Sequence, residues 1–314
     1  MYFGLFENFR TPLRAALLAA LLTSVCAASL RAQETPHYPN GTSGLKAGTT
    51  PPPGYYWLMY NRYYTADRTM DADGNVARGP DGEPLEFQLD AFANVHRIIQ
   101  ITDKKIFGAD FGWNVVIPIV DASIDIPAYG VQDDATKLSD MNAEPFVMEW
   151  HEEKFDFGFV YGLFAPSAKR DDTHPAWTGK DYWTNYAGLA GTYYFDEKKT
   201  WTASVLSRYE VNSKRREVDM RAGDNFSFEW GLGKTILPMT DVGVSGYCSW
   251  QVTEDRGTAA VNPAVKDRAY GIGPELQYFS PKHNFGYHFR YWWEFGVRDR
   301  SEGQILTFTL VKPF

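Results

Sequence analysis

The sequence predicts an all-β fold, a transmembrane antiparallel outer-membrane β-barrel of about 12 strands. Three observations support this class. Stretches of strand length alternate large apolar residues with small or polar ones, the connections between them alternate between short and long, and the chain ends on an aromatic residue, Phe314. After the first 32 residues, no apolar run reaches the roughly 18 residues that a membrane helix needs, so strands would have to cross the membrane.

The start of the chain has the layout of a secretory signal peptide. Arg10 and Arg14 precede an apolar stretch, and a small-residue cleavage site follows at Ala32. Cys26 leaves a lipoprotein as an alternative, but the residues before it form a poor lipobox, so cleavage after Ala32 is favoured. The sequence therefore predicts three regions, which are a signal peptide 1–32, a Gly/Pro-rich segment 33–54 and a barrel 55–314.

Charge and cysteine content exclude two classes of function. Loss of the signal peptide removes three Arg and one Glu and moves the formal net charge from -8 to -10. An exported acidic chain has no electrostatic basis for binding nucleic acid. Cys248 would be the one remaining cysteine, so an intramolecular disulfide and a Cys-x-x-Cys metal or redox site are both excluded.

The segment 33–54 has neither helical nor strand periodicity, and it contains three consecutive prolines. Two interpretations remain open. The segment is either a flexible periplasmic lead-in or a plug that folds into the mouth of the barrel, since its Gly-rich turn chemistry suits a compact path. The candidate plug residues are His37, Tyr38, Pro39, Asn40, Gly41, Pro51, Pro52 and Pro53.

Strand-like stretches follow one another from Gly54 to the end of the chain. The predicted strands are residues 55–66, 85–101, 106–118, 145–150, 154–166, 182–196, 199–212, 225–236, 240–253, 268–280, 284–298 and 304–314. Short connections, such as 102–105 and 281–283, alternate with long polar ones, such as 67–84 and 119–144. Short turns on the periplasmic side and long loops outside are typical of outer-membrane barrels, and an even strand count puts both termini in the periplasm.

The last predicted strand carries apolar residues at alternate positions counted back from Phe314. This ending resembles the C-terminal strand of bacterial outer-membrane barrels, which the barrel assembly machinery reads as a signal. The resemblance implies that Phe314 is the assembly signal and that this machinery and outer-membrane lipid are partners. Lys312 stands where another aromatic is usual, although a lysine at the interface can extend its amine towards water.

The polar face of the strands supplies the candidate functional residues. Mixed charges there either pair across a closed barrel or line a pore. The residues predicted to line the lumen are Asp90, Asn94, His96, Asp110, Asn114, Glu149, Asp156, Arg208, Glu210, Glu229, Glu275, Gln277, His288, Arg290 and Glu294. The sequence contains no catalytic signature, and the acidic run 71–75 lacks the spacing and closing Glu of a calcium loop, so neither a metal site nor a cofactor is predicted.

Several motifs resemble one family of outer-membrane proteins, the phenol meta-pathway degradation family, which includes a sphingosine-induced porin-like protein. They are the run 37–48 with its spaced glycines, Pro51-Pro52-Pro53-Gly54-Tyr55-Tyr56, Gly162-Leu163-Phe164-Ala165-Pro166-Ser167 and Trp293-Glu294-Phe295-Gly296-Val297-Arg298. The resemblance covers essentially the whole mature chain. It implies a Gram-negative outer-membrane channel for passive uptake of small hydrophobic or aromatic solutes, with the N-terminal segment as a plug.

Two other functions remain open. A closed barrel could anchor the envelope or display loops, and it would have a lumen filled by paired side chains. A barrel of this size could also be a lipid hydrolase, which would need a Ser/His pair at one height on the outer wall. The strand phase assumed here points His96 and His288 inward, which disfavours the hydrolase.

Overall fold

A computed structural model describes residues 35–314. The predicted signal peptide, with Cys26, lies outside the described residues. The described chain forms 13 strands and one short 3-10 turn, Pro127–Tyr129. The strands are β1 Gly54–Ala66, β2 Gln88–Ile106, β3 Ala109–Ile126, β4 Val131–Leu138, β5 Asn142–His151, β6 Phe155–Phe164, β7 Thr184–Tyr194, β8 Trp201–Asn212, β9 Asn225–Leu237, β10 Thr240–Gln251, β11 Arg268–Ser280, β12 Phe285–Arg298 and β13 Gln304–Pro313. Within this part of the chain, no helix is long and apolar enough to cross a membrane.

Twelve of the strands close into an antiparallel barrel. Each pairs with its neighbours in sequence, β1 also pairs with β13, and β3 pairs with β5 because β4 stands outside the ring. β4 instead forms a hairpin with the second half of β3, residues 119–126. The predicted fold class is confirmed. The short predicted strand at 145–150 is present as β5.

Two parts of the fold differ most from the prediction. The first periplasmic turn lies at Phe107 and Gly108, both with positive φ, not at residues 102–105. This two-residue turn matches the twist of the flanking strands, and β2 passes through 102–105 with a register shift. The second difference is β4, whose polar residues lie in a predicted loop. It is a strand because it pairs with β3, although its own pattern has no apolar face to reveal it.

The outer surface is largely apolar, because in most strands the alternate residues that point away from the lumen are the large apolar ones. β6 shows the pattern most simply, since Phe155, Phe157 and Phe159 are exposed while Asp156 and Val160 are buried. Stacked or tilted ring pairs join neighbouring strands on this surface, as between Phe289 and Phe308. Such a belt suits lipid contact.

The buried residues of the strands lie inside the barrel and many are polar or charged, while Tyr182, Met220 and Ala222 form a buried group among the long loops. A group of apolar side chains, Val160, Phe164, Tyr186 and Leu206, packs there around Tyr38 from the segment before β1. A second group surrounds Trp292. The lumen of this barrel is therefore packed with side chains and with a piece of the chain itself.

Candidate functional site in the barrel lumen

Residues 35–53, called here the lumen segment, run along the inside of the barrel from one end to the other. At the long-loop end, Lys180 donates from Nζ to the carbonyl oxygen of Thr35 at 2.7 Å. At the short-turn end, the N–H of Thr50 donates to Glu149 at 2.7 Å. The prediction placed both termini on the periplasmic side. β1 begins and β13 ends at the short-turn end, but the chain before β1 reaches the opposite end.

Four buried glutamates of the wall hold the backbone of the lumen segment. We call them the glutamate ladder, and they are Glu210 on β8, Glu229 on β9, Glu275 on β11 and Glu149 on β5. Each accepts at least one N–H of the segment. Since this segment has no strand or helix partner of its own, the carboxylates satisfy backbone groups that would otherwise be buried without partners.

The contacts of the glutamate ladder follow the order of the segment. Glu210 accepts from the N–H groups of His37 and Tyr38 at 2.9 and 3.1 Å. Glu229 accepts three, from Gly41 at 2.6 Å, Thr42 at 3.0 Å and Ser43 at 2.6 Å. Further down, Glu275 accepts from Leu45 at 3.0 Å. The prediction had identified carboxylates in the lumen but not this role for them.

Arginines of the wall bind the other side of the same backbone. Arg290 donates to the carbonyl oxygens of Gly41 and Thr42 at 3.3 and 2.9 Å, and it also pairs with Glu275 at 3.0 Å. Arg208 lies over the ring of Tyr38, with its guanidinium carbon 3.7 Å from the ring centre. The arginines therefore balance the charge of the ladder as well as holding the segment.

Arg62 of β1 completes this set, donating to the carbonyl oxygen of Asn40 at 2.8 Å. Lower down, Lys46 pairs with Asp241 at 2.6 Å. The lumen segment is thus tied to β1 and β12, and its contacts continue towards the short-turn end.

Two glycines allow the segment to lie close to the wall. A Cβ atom on Gly48 would overlap the backbone of Gly191 on β7. On Gly44 it would overlap the Glu275 carboxylate and the Arg290 guanidinium. Glycine is required at both positions for this approach. The prolines make no such close approach. Pro52 and Pro53 are exposed where the chain turns from the lumen into β1, and Pro51 is partly exposed. Pro39, nearer the long-loop end, is also exposed.

Twelve of the fifteen residues predicted to line the lumen face inward. They are Asp110, Asn114, Glu149, Asp156, Arg208, Glu210, Glu229, Glu275, Gln277, His288, Arg290 and Glu294. They do not form one cluster. Four belong to the glutamate ladder, Asn114 instead binds Glu144, and Glu294 accepts from Tyr64 and Tyr247 near the long-loop end.

The prediction is wrong for Asp90 and His96, which point outward with Asn94. Phe92 and Ile98, on the same face of β2, are exposed, whereas Ile99 and Ile101 on the other face are buried. Asp90 accepts from the outward Tyr63 hydroxyl at 2.6 Å, and His96 accepts from the indole of Trp57 at 3.1 Å. Polarity alone therefore gave the wrong phase for this strand.

The correct phase of β2 brings in residues that the sequence argument missed. Arg97 faces inward and pairs with Glu144 of β5 at 2.7 Å. Glu144 lay just before the predicted start of its strand, and a register shift between Ala143 and Phe146 places it and Glu149 on the same side of the wall. The spacing between them, five residues, hides this relation from a simple period of two.

An apolar wall lines the lumen on β1, β2 and β3. Its members share partial exposure and an inward direction, and they are Leu58, Leu89, Ala91, Ala93, Val95, Val116, Pro118 and Val120. We call this set the apolar inner wall. The glutamate ladder is on β5 to β11, so the wall and the ladder occupy different sides of the lumen.

Asp140, in the loop before β5, fixes the upper end of the segment. Its carboxylate lies 3.3 Å from Nε2 of His37 and accepts from the N–H groups of Ala168 and Lys180 at 2.8 Å each. Burial alone would raise the pKa of Asp140, but these hydrogen bonds outweigh it and the pKa lies below its ordinary value. The ionised form is thus favoured, which strengthens the hold on His37.

A family model described as "Putative MetA-pathway of phenol degradation" matches residues 66–310. The chain belongs to this family. The match begins at the end of β1, so the lumen segment lies before the matched residues. No curated protein matches the chain.

Solved structures similar to this member of the phenol degradation family are outer-membrane barrels. The COG4313 outer membrane channel from Pseudomonas putida F1 superposes with a TM-score of 0.74 at 13% identity, covering 88% of this chain and all of that one. The translocator domain of the autotransporter NalP from Neisseria meningitidis gives 0.48 at 8% identity, covering 97% of each chain. The first likeness shows the fold of an outer-membrane barrel, and the apolar outer belt fits contact with membrane lipid.

Proposed function

We propose that this protein is an outer-membrane channel for passive uptake of small hydrophobic or aromatic compounds, and that the lumen segment is its plug. The observation that carries the proposal is the way the segment is held. It occupies the lumen through hydrogen bonds to the glutamate ladder, and its large buried apolar side chains are Tyr38 and Leu45.

Such a hold is suited to reversible opening. Hydrogen bonds to charged groups contribute about 1.5–3 kcal/mol each net, because water replaces them when the partners separate. A segment of the same length held by apolar side chains would instead expose that apolar surface to water when it left the lumen. The segment can therefore leave its bonds one at a time, as water takes the place of each partner, while the closed barrel around it stays intact.

The apolar inner wall supports an apolar solute. Its side chains are partly exposed inside the barrel although the rest of the lumen is polar and charged. A hydrophobic molecule moving along β1 to β3 would meet mainly alkyl surface, whereas Arg290 and Glu275 on the other side remain paired. Ligand sites commonly combine an apolar surface with a few polar groups in this way.

Two alternative functions have different requirements. A structural barrel is favoured by the same filled lumen, and the experiment below separates it from a channel. A lipid hydrolase needs a serine beside an outward histidine. His96 does face outward, but its register neighbours on β1 and β3 are Met59 and Ile117. The wall around His96 therefore has no adjacent serine to act as nucleophile.

The test compares the mature protein with a variant lacking residues 33–53. Both are placed in vesicles coated with lipopolysaccharide, and uptake of the fluorescent probe N-phenyl-1-naphthylamine is compared with swelling in a sugar of similar size. We expect faster probe uptake than in empty vesicles, further acceleration on truncation, and larger conductance steps of the truncated form in planar bilayers.

A variant of the apolar inner wall tests whether this surface carries the apolar probe. Val95→Asp places a charge among its alkyl groups and should slow probe uptake, whereas ion conductance of the truncated form should persist. If neither the full chain nor the truncated one exceeds empty vesicles in probe uptake or conductance, the barrel is closed and the channel proposal is wrong.

A further inference from the structure

Three side chains converge at the short-turn mouth of the barrel, below the lumen segment. Glu149 and His151 are on β5, and Asp156 is on β6 directly opposite His151. Nδ1 of His151 lies 2.9 Å from Oδ1 of Asp156 and 3.8 Å from Oε1 of Glu149. One ligand atom from each residue lies within 4.8 Å of the other two.

This geometry is close to that of a tetrahedral metal site. Zn²⁺ bound at about 2.0–2.1 Å by nitrogen and oxygen donors separates those donors by roughly 3.3 Å. The two measured separations from His151 Nδ1, 2.9 and 3.8 Å, lie on either side of that value. The two carboxylate oxygens also lie within 4.8 Å of each other, so small side-chain rotations would bring all three atoms to bonding distance.

The second ring nitrogen of His151 has the partner that metal-bound histidines usually have. Nε2 lies 3.5 Å from Oδ2 of Asp110 on β3, and the other oxygen of Asp110 pairs with Lys105 at 2.7 Å. A carboxylate at this position fixes the ring and the tautomer that presents Nδ1 to a metal. Asp110 would thus position His151 without touching the ion.

An unsatisfied oxygen points to a missing ligand. Oε1 of Glu149 is buried and has no hydrogen-bond partner, although the residue is only 3% exposed. Buried carboxylate oxygens are rarely left in this state. The other oxygen of Glu149 accepts from the N–H of Thr50, and Oδ2 of Asp156 accepts from the hydroxyls of Thr49 and Tyr194. The carboxylates therefore face the shared point with one oxygen and hold the lumen segment with the other.

We propose that Glu149, His151 and Asp156 bind one divalent transition-metal ion, for which Zn²⁺ is the best fit, at the periplasmic mouth of the barrel. The ion fixes the two carboxylates in the orientation that binds Thr49 and Thr50, so it strengthens the closed state of the lower segment. This second effect rests on the proposed function of the segment as a plug. The binding itself does not, because all three ligands belong to the wall.

Binding is tested on protein without a polyhistidine tag, stripped with EDTA and titrated with Zn²⁺ in competition with a chromogenic chelator. We expect one ion per chain, with at least tenfold weaker binding in His151→Gln. His174→Gln is the matched control, since His174 also lies beside a carboxylate, Asp133, but in an exposed loop. That variant should bind like the wild type.

Glu149→Gln is a second ligand variant in case His151→Gln does not fold, and heat-modifiable gel mobility verifies the fold of each. Absence of saturable binding below about 0.1 mM Zn²⁺ would overturn the site, and so would equal binding by the wild type and a folded ligand variant. The form lacking residues 33–53 should still bind one ion, because it retains the three ligands.

The effect on the plug is read from single-channel recordings with Zn²⁺ added on the short-turn side. We expect about tenfold fewer openings of the wild type, reversal by EDTA, and no change in His151→Gln. If the ion binds stoichiometrically but the openings of a conducting wild type stay the same, the stabilising effect is refuted while the metal site stands. Failure of both forms to conduct would refute only the channel proposal.

Discussion

Removing the Glu229 carboxylate should release the lumen segment at its most heavily bonded point. Three consecutive N–H groups, of Gly41, Thr42 and Ser43, donate to this one side chain. In Glu229→Ala all three lose their acceptor inside the barrel. In Glu229→Gln, one oxygen remains for Gly41 and Thr42, but the amide nitrogen cannot accept from Ser43.

The size of the effect follows from those bonds. Hydrogen bonds to charged groups contribute about 1.5–3 kcal/mol each. Three of them would sum to roughly 5–9 kcal/mol, but water can enter the vacated space and the bonds are not independent, so we take about 4 kcal/mol. A change of about 4 kcal/mol moves the equilibrium between seated and displaced segment by roughly 1,000-fold.

The assay is the open probability of single channels in planar bilayers. It should rise in the order wild type, Glu229→Gln, Glu229→Ala. Glu294→Gln is the matched control, because Glu294 is also buried and inward but binds Tyr64, Tyr247 and Gly303, which lie outside the lumen segment. If a correctly folded Glu229→Ala opens no more often than Glu294→Gln, the ladder does not hold a plug.

Three further changes have distinct outcomes. Gly48→Val should prevent the lower segment from seating against Gly191 and so raise conductance, measured as for Glu229. Asp299→Asn should be more stable than the wild type at pH 8 but not at pH 4, by about 1 kcal/mol in denaturant titrations. The reason is that burial, with the charge of nearby carboxylates, raises the pKa of Asp299 in the folded protein to about 6. The protonated carboxyl therefore stabilises the fold fully below the ordinary pKa of 3.8, and this stabilisation is lost as the pH rises through 6. The partial exposure of the side chain reduces the size of the effect. Phe314→Ala should lower the amount of assembled barrel in cells several-fold, as judged by heat-modifiable mobility, while the stability of refolded protein changes little because Phe314 is 79% exposed.

The barrel could be predicted because its signal is local. In β6, the period of two appears in ten consecutive residues, and lipid on one side leaves only one phase that exposes phenylalanines. β2 shows the limit of this reasoning. Its outward face contains Asp90 and His96 beside Tyr63 and Trp57, while its inward face from 89 to 101 is apolar apart from Arg97. Where lipid-facing residues are polar and the lumen is apolar, polarity predicts the opposite phase.

The candidate site was harder to predict because its contacts join distant parts of the chain. The sequence predicts that Glu229 points inward and shows that residues 37–48 are rich in glycine. It does not show that the N–H of Gly41 donates to Glu229, which is 188 residues away along the chain. The path of the segment depends on closing the barrel first. Gly48 could have suggested a close approach, yet its partner Gly191 is recognisable only once β7 has been placed.

The central claim is that solute passes only when the lumen segment moves, and a reversible lock tests it most directly. The N–H of Ala47 lies 3.3 Å from the hydroxyl of Ser204 on β8. We would join these positions as Ala47→Cys and Ser204→Cys, with the outward Cys248 replaced by Ser. Oxidation should stop uptake of the apolar probe and reduction should restore it, with each single-cysteine variant unaffected. Undiminished uptake through a fully oxidised barrel would contradict the claim.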